Sequence, residues 1–238
     1  MSALAYNGHD FSEHVTAELL EPAGHALSPR TLLVPGRPGA VLLGSELPPR
    51  VFRVRLFLDA GVTLTAEERS AIRHELYGWL VAPMGAELSL TGEPDLTWRD
   101  AVVTGVSDWD SLFEDGSCEV EFTCFDPVAY GDGKSSAAST LTVGGTWETW
   151  PVATLTALAG TSVKVADGSG RYVLVERTFA AGDVVVMDFA AEAVTVEDAD
   201  ASADVAVEST FFSLDPGAHT LTFSGCSAHT VSWTERWL

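Results

Sequence analysis

Apolar and polar positions alternate along the stretch Arg50 to Leu58, RVFRVRLFL, which sets Phe52, Val54, Leu56 and Leu58 on one side and Arg53 and Arg55 on the other. A period of two with one apolar side predicts a half-buried strand. The period then changes. Thr65 is a good N-cap, Glu68 three residues later completes a capping box, and Ile72, Leu76, Trp79 and Leu80 follow at helical spacing until Pro83. That pattern predicts a helix. Short strands are expected near Glu87 to Leu90 and Asp100 to Val106. In CEVEFTCF, Cys118, Val120, Phe122 and Cys124 face inward while Glu119, Glu121 and Thr123 face outward, which is a strand again.

The second half shows no helical period. It offers short β-branched segments: VATLTAL, VKV, YVLVE, VVVMDF, VTVE, VAVE, TFF, HTLTFS and HTVSWT. Turn signals such as Asp167-Gly168, Gly182-Asp183 and Pro216-Gly217 separate them about every 8–12 residues, the spacing of an antiparallel sandwich. Between the halves, GDGKSSAAS (Gly131 to Ser139) is small, polar and aperiodic, and reads as a linker. The expected organisation is therefore a domain over 1–131, a linker over 132–139 and an all-β domain over 140–238.

Length and composition narrow the function. The 238 residues suffice for two domains, and 46% hydrophobic against 20% charged is an ordinary globular balance. Charge is the unusual quantity: 13 Lys+Arg against 34 Asp+Glu give −21. A nucleic-acid clamp needs a surplus of cations, so that class is excluded, and an anionic membrane surface is disfavoured for the same reason. No apolar run is long enough for a membrane helix, and MSALAYNGHDF has neither the basic region nor the apolar run of a signal peptide. Three cysteines are too few for a disulfide framework. Cys118 and Cys124 fall about 20 Å apart on one strand, so both are expected to be reduced core thiols.

Candidate chemistry is sparse. In GDGKSS a phosphate loop would need Gly where Val128 stands. Asp198, Asp200, Ser202 and Asp204 alternate like the start of a calcium loop. However, Ala203 and Ser209 occupy the positions that require Gly and Glu, so an acidic hairpin tip is expected. The six histidines (His9, His14, His25, His74, His219, His229) have no close metal spacing. With 34 acids, a carboxylate pair such as Asp108/Asp110 carries no weight as a glycosidase dyad. Neither an enzymatic activity nor a cofactor or metal is expected. Trp147 and Trp150, in GTWETWP, suit an aromatic platform for a sugar ring or packing at the domain entrance beside Pro151.

The order of motifs is more specific than any one of them. YNGHDF, VPGRPGA (Val34 to Ala40), RVFRVRLFL, the single helix, LTGEPDLTWRDAVVTG and EVEFTCFDPVAYG fill the first half. GTWETWPVATLTA, FFSLDPGAHTLTFSG and HTVSWTERWL frame the second. This succession resembles the distal tail protein (Dit) family of long-tailed, siphovirus-type bacteriophages. The resemblance implies a mainly β chain: an N-terminal β-sandwich-like domain with one α-helix and an extended hairpin arm, then a C-terminal galectin-like antiparallel β-sandwich. It also implies a homohexameric ring in the virion, at the distal end of the tail. That hub would join the major tail tube protein to the tail-associated lysin or tail fibre proteins, with phage DNA passing through its lumen unbound and no membrane insertion. By position the arm lies between Gly24 and Pro49, with Pro35, Gly36, Arg37, Pro38 and Gly39 at the subunit contact. A competing reading is a carbohydrate-binding adhesin that stacks sugar on Trp147 or Trp150.

Overall fold

In the computed structural model, which describes residues 4–21, 26–58, 64–90, 92–93, 95–107 and 109–238, the chain divides between Tyr130 and Gly131. The first unit runs β1 (Ala5–Tyr6), β2 (His9–Asp10), β3 (Val15–Glu21), β4 (Ser28–Leu32), β5 (Val41–Glu46) and β6 (Arg50–Leu58). Helix α1 (Ala66–Leu80), β7 (Ala86–Ser89), β8 (Thr97–Val106), the short helix α2 (Asp110–Glu114) and β9 (Ser117–Cys124) follow. Strand β10 (Ala129–Ser136) carries the chain across the boundary.

The alternation of β6 and β9 is realised residue for residue. The two strands pair antiparallel with Phe52 opposite Phe122, Val54 opposite Val120 and Leu56 opposite Cys118, all buried. The outward positions of the same register set Arg53 against Glu121 (3.2 Å) and Arg55 against Glu119 (2.6 Å). These exposed pairs add little stability, but a slip by one residue would turn every apolar side chain to water, so the register is specified twice. The sheet continues from β3 through β6, β9, β8, β7 and β1 to β2, every neighbouring pair antiparallel. Beneath it lie Tyr6, Leu88 and Trp98, and the Tyr6 hydroxyl donates to the Ala101 carbonyl at 2.9 Å.

Helix α1 starts where the sequence predicts. The Glu68 N–H donates to Thr65 Oγ1 (3.3 Å) and the Glu68 carboxylate accepts from the Thr65 N–H (2.8 Å), a complete capping box. Only its last turns bury side chains: Leu76, Trp79 and Leu80. Trp79 meets Phe11 edge-on at 5.3 Å.

The second unit contains β11 (Thr140–Val143), β12 (Val152–Ala157), β13 (Gly160–Ala166), β14 (Tyr172–Phe179), β15 (Val184–Asp188) and β16 (Ala193–Val196). They are followed by β17 (Ala199–Asp200), β18 (Gly217–Thr220), β19 (Thr222–Ser224) and the long β20 (Cys226–Trp237). One sheet has the order β17–β16–β15–β12–β20; β14–β13–β19 and β11–β18 are the remaining pairings. Leu155, Val163, Val165, Val175, Phe189 and Phe212 form part of one buried cluster between them, the arrangement of an antiparallel sandwich.

Three local expectations need correction. Residues 131–136 of the expected linker are strand, which the alternation could not reveal because most of their side chains face water. VAVE (Val205 to Glu208) is not a strand: apart from one bridge, Val205 to Val175, it crosses beside β14, and Val207 is 98% exposed. TFF (Thr210 to Phe212) is irregular too, although Phe212 is buried. In the last two cases β-branched or aromatic composition does not bring ladder pairing with it.

Candidate functional site

The most unusual surface of the chain is the antiparallel hairpin of β4 and β5, which fulfils the expectation of an extended arm. Ser28 pairs with Glu46, Arg30 with Gly44, and Leu32 with Val41, with a bulge beyond Arg30. No residue of either strand is buried. The Arg30–Glu46 ion pair (2.8 Å) is itself mostly in water. A two-stranded hairpin with neither face covered is marginal in water.

The arm is nevertheless rich in exposed apolar side chains. Leu27, Leu32, Leu33, Val34, Leu42 and Leu43 are between 40% and 77% exposed, and they lie within seventeen consecutive residues of sequence. Single exposed leucines need no explanation, but a cluster of this kind marks a contact surface. The charge of the segment is also distinct. Residues 26–49 hold two arginines and one glutamate, +1, which leaves −22 on the rest of the chain.

The residues expected at the contact form the tip. The Arg37 N–H donates to the Val34 carbonyl at 3.1 Å, closing a turn with Pro35 and Gly36 at its centre. Gly36 has φ +79°, the value that the third position of a type II turn requires, and Pro35 supplies the second. The turn holds Arg37 exposed, and among the described residues no ion pair engages it. Pro38 and Gly39 complete the tip, exposed as well.

Trp147 and Trp150 are both half-buried; Trp150 packs against the core of the second unit, and the Trp147 backbone N–H donates to the Arg236 carbonyl at 3.1 Å. Among the described residues no ring contact joins the two. Asp198 lies at the tip of the β16–β17 hairpin, where Val196 pairs with Ala199, as the acidic hairpin tip predicted from the sequence. The neighbouring acids are already engaged: Asp200 accepts from the Ser202 N–H (3.0 Å) and Asp204 pairs with Arg177 (3.2 Å). Among the described residues no group of three His, Cys, Asp or Glu side chains is arranged to hold a metal ion. Asp108 and His25 lie outside the described residues. His9 and His14 both stack on Trp79, and His14 Nε2 lies 3.1 Å from Glu75. Burial pushes the thiols of Cys118 and Cys124 up to about 12, so both are inert core side chains. Lys134 of GDGKSS sits on β10, 4.0 Å from Asp132.

A second feature of the first unit had no signal in the sequence. An open groove of about 770 Å³ is walled by Ser12 to Thr16, the end of β6, Leu64, Arg69 and Ile72 at the start of α1, and residues 112–116. Its parts come from four distant segments, which no local pattern connects.

Two family models match the chain and between them take in most of it. Residues 7–124 match the phage tail protein RIFT-related domain, and residues 144–237 match the C-terminal domain of siphovirus-type tail components. The chain belongs to the distal tail protein family of siphovirus-type phages. Members of the family are virion components at the distal end of the tail, and this chain is one of them. Among solved structures, the chain is similar to the Dit protein of phage SPP1, a hub of the adsorption apparatus in phages that infect Gram-positive bacteria. The two share 18% identity over all of both chains, with a TM-score of 0.84. It is also similar, at 10% identity, to a chain of the phage P2 baseplate in its activated conformation, with calcium or with strontium. There the match covers 99% of this chain and 98% of the other, with a TM-score of 0.53. At these identities the likeness is one of fold. No curated protein matches the chain. Among the described residues no helix is long and apolar enough to cross a membrane.

Proposed function

We propose that six copies of this chain close into a ring that serves as the mechanical hub of the tail tip. The ring couples the tail tube to the tail-associated lysin or fibre proteins. In this reading residues 1–131 make the ring and residues 140–238 form the docking module. The arm clasps the neighbouring subunit through Pro35, Gly36, Arg37, Pro38 and Gly39. The observation that carries the reading is the arm itself: an apolar, weakly cationic hairpin with no buried face, on an otherwise strongly acidic chain. The described roles of the fold relatives, an adsorption hub and a baseplate, support the same assignment.

The charge suits a conduit. Six copies would carry six times −21, or −126. DNA presents one negative charge per ~1.7 Å, so acids facing a lumen avoid gripping it. Screening confines that effect to acids within about 8 Å of the DNA.

Light scattering on the purified chain tests the reading, and the expected mass is six times 25.3 kDa. Deleting Pro35 to Gly39 should leave folded subunits that associate less. A sample that stays a single subunit at every concentration and ionic strength refutes the ring. A deletion variant that forms full rings refutes the clasp.

A further inference from the structure

The groove of the first unit has the shape and charge of a receptor. Phe57, Leu58, Ile72, Leu112 and Phe113 supply an apolar floor inside its volume of about 770 Å³. The rim is acidic. Glu13, Glu114 and Asp115 stand around it against a single cation, Arg69, and all four side chains are exposed. The Arg73 guanidinium lies over the Phe113 ring at 5.0 Å.

We infer that this groove receives the arm tip of a second copy of the chain, a step that rests on the ring reading above. The two surfaces are complementary in each respect that can be compared. The tip presents Val34, Pro35 and Pro38 to an apolar floor and Arg37 to a rim with a surplus of two negative charges. The type II turn fixes Pro35 and Gly36 before contact, so little backbone entropy is lost on docking. Charge also selects the occupant. On a chain of −21, the segment 26–49 is cationic and carries the cluster of exposed leucines, so a second copy brings to the groove both properties its lining requires.

The test mixes two full-length variants, both in a Cys226→Ser background so that Cys118 and Cys124, which are buried, are the native thiols left. One carries Arg37→Cys and the other Glu114→Cys, at two exposed positions. Under mild oxidation, docking holds the two thiols at millimolar effective concentration, so a disulfide between the different chains should form at least about tenfold faster than with a Glu192→Cys control on the second unit. Masses of the linked species show which chains are joined. Assemblies that form without this disulfide, or that link Glu192→Cys equally well, overturn the groove as receptor and leave the ring standing. Chains that do not assemble at all overturn both. A second readout guards against a geometric miss. Arg37→Glu and Glu114→Arg should each weaken association, and an equal mixture of the two chains should restore it at mixed seams; the absence of that rescue also counts against the groove.

Discussion

The arm leucines allow a prediction whose two halves constrain each other. The perturbation is the double substitution Leu33→Ser and Leu43→Ser. These side chains are 77% and 66% exposed in the subunit, so most of their surface is still in water. Fully burying a leucine is worth about 1.5–3 kcal/mol, so covering the remaining surface contributes about 1–2 kcal/mol each, or about 2–4 kcal/mol per clasp. At about 1.4 kcal/mol per tenfold, association should shift to concentrations roughly thirtyfold to several-hundredfold higher. The same substitutions should leave the dissociated subunit almost unchanged, within about 0.5 kcal/mol, because most of each side chain already lies in water there. Sedimentation or light scattering against concentration reads the first half, and thermal unfolding of the dilute subunit reads the second. An association midpoint that moves by less than about threefold refutes the arm as an apolar clasp. A subunit that loses more than about 1 kcal/mol shows instead that the leucines pack within their own chain.

Three further outcomes are expected. Gly225, at φ +76°, would drive a Cβ into the Ser162 carbonyl, so Gly225→Ala should destabilise the second unit by more than about 3 kcal/mol in urea unfolding. Asp167 is 7% exposed, and its burial works to raise its carboxyl. Hydrogen bonds from Ser169 and from Arg171 outweigh that burial and hold it below the usual carboxylate range. Asp167→Ala should therefore cost about 2 kcal/mol at neutral pH. Because the folded value lies below the unfolded one, the difference from the parent should persist above the unfolded value of about 3.9 and fade as pH falls through the folded one. Finally, raising NaCl from about 50 to about 500 mM should strengthen ring assembly, since it screens repulsion among acidic subunits; light scattering that shows dissociation with salt would contradict this.

Much of the fold is legible in the sequence, wherever burial is one-sided. The register of β6 on β9 is written in two alternations, RVFRVRLFL and CEVEFTCF, whose apolar sets meet and whose charged sets pair. Thr65 and Glu68 fix the start of α1 by local hydrogen bonds alone. Legibility fails where one-sided burial fails. β10 hides its pairing behind Gly, Asp, Lys and Ser side chains that face water, while VAVE carries strand composition without a ladder. The arm is the converse case. Its place in the chain comes from the family resemblance, and only the structure shows that its leucines stay 52% to 77% exposed in the subunit. The groove needed tertiary structure outright, because Glu13, Leu58, Ile72 and Leu112 become neighbours only when the first unit folds.

The charge distribution explains why such a contact would be built on an arm at all. Two bodies of −21 repel wherever their acids come within a Debye length, about 8 Å, so a broad seam between globular faces would gather many like charges. A slender hairpin touches through few residues and carries none of that excess: it is +1, and its apolar surface works independently of charge. Exposed ion pairs contribute about 0–1 kcal/mol each, less than the leucines, so Arg37 would set register and choose the partner while burial supplies the affinity. Apolar burial would therefore hold the subunits together, while repulsion elsewhere keeps unclasped surfaces apart. That division follows from placing a cluster of exposed leucines of an acidic chain on a weakly cationic hairpin.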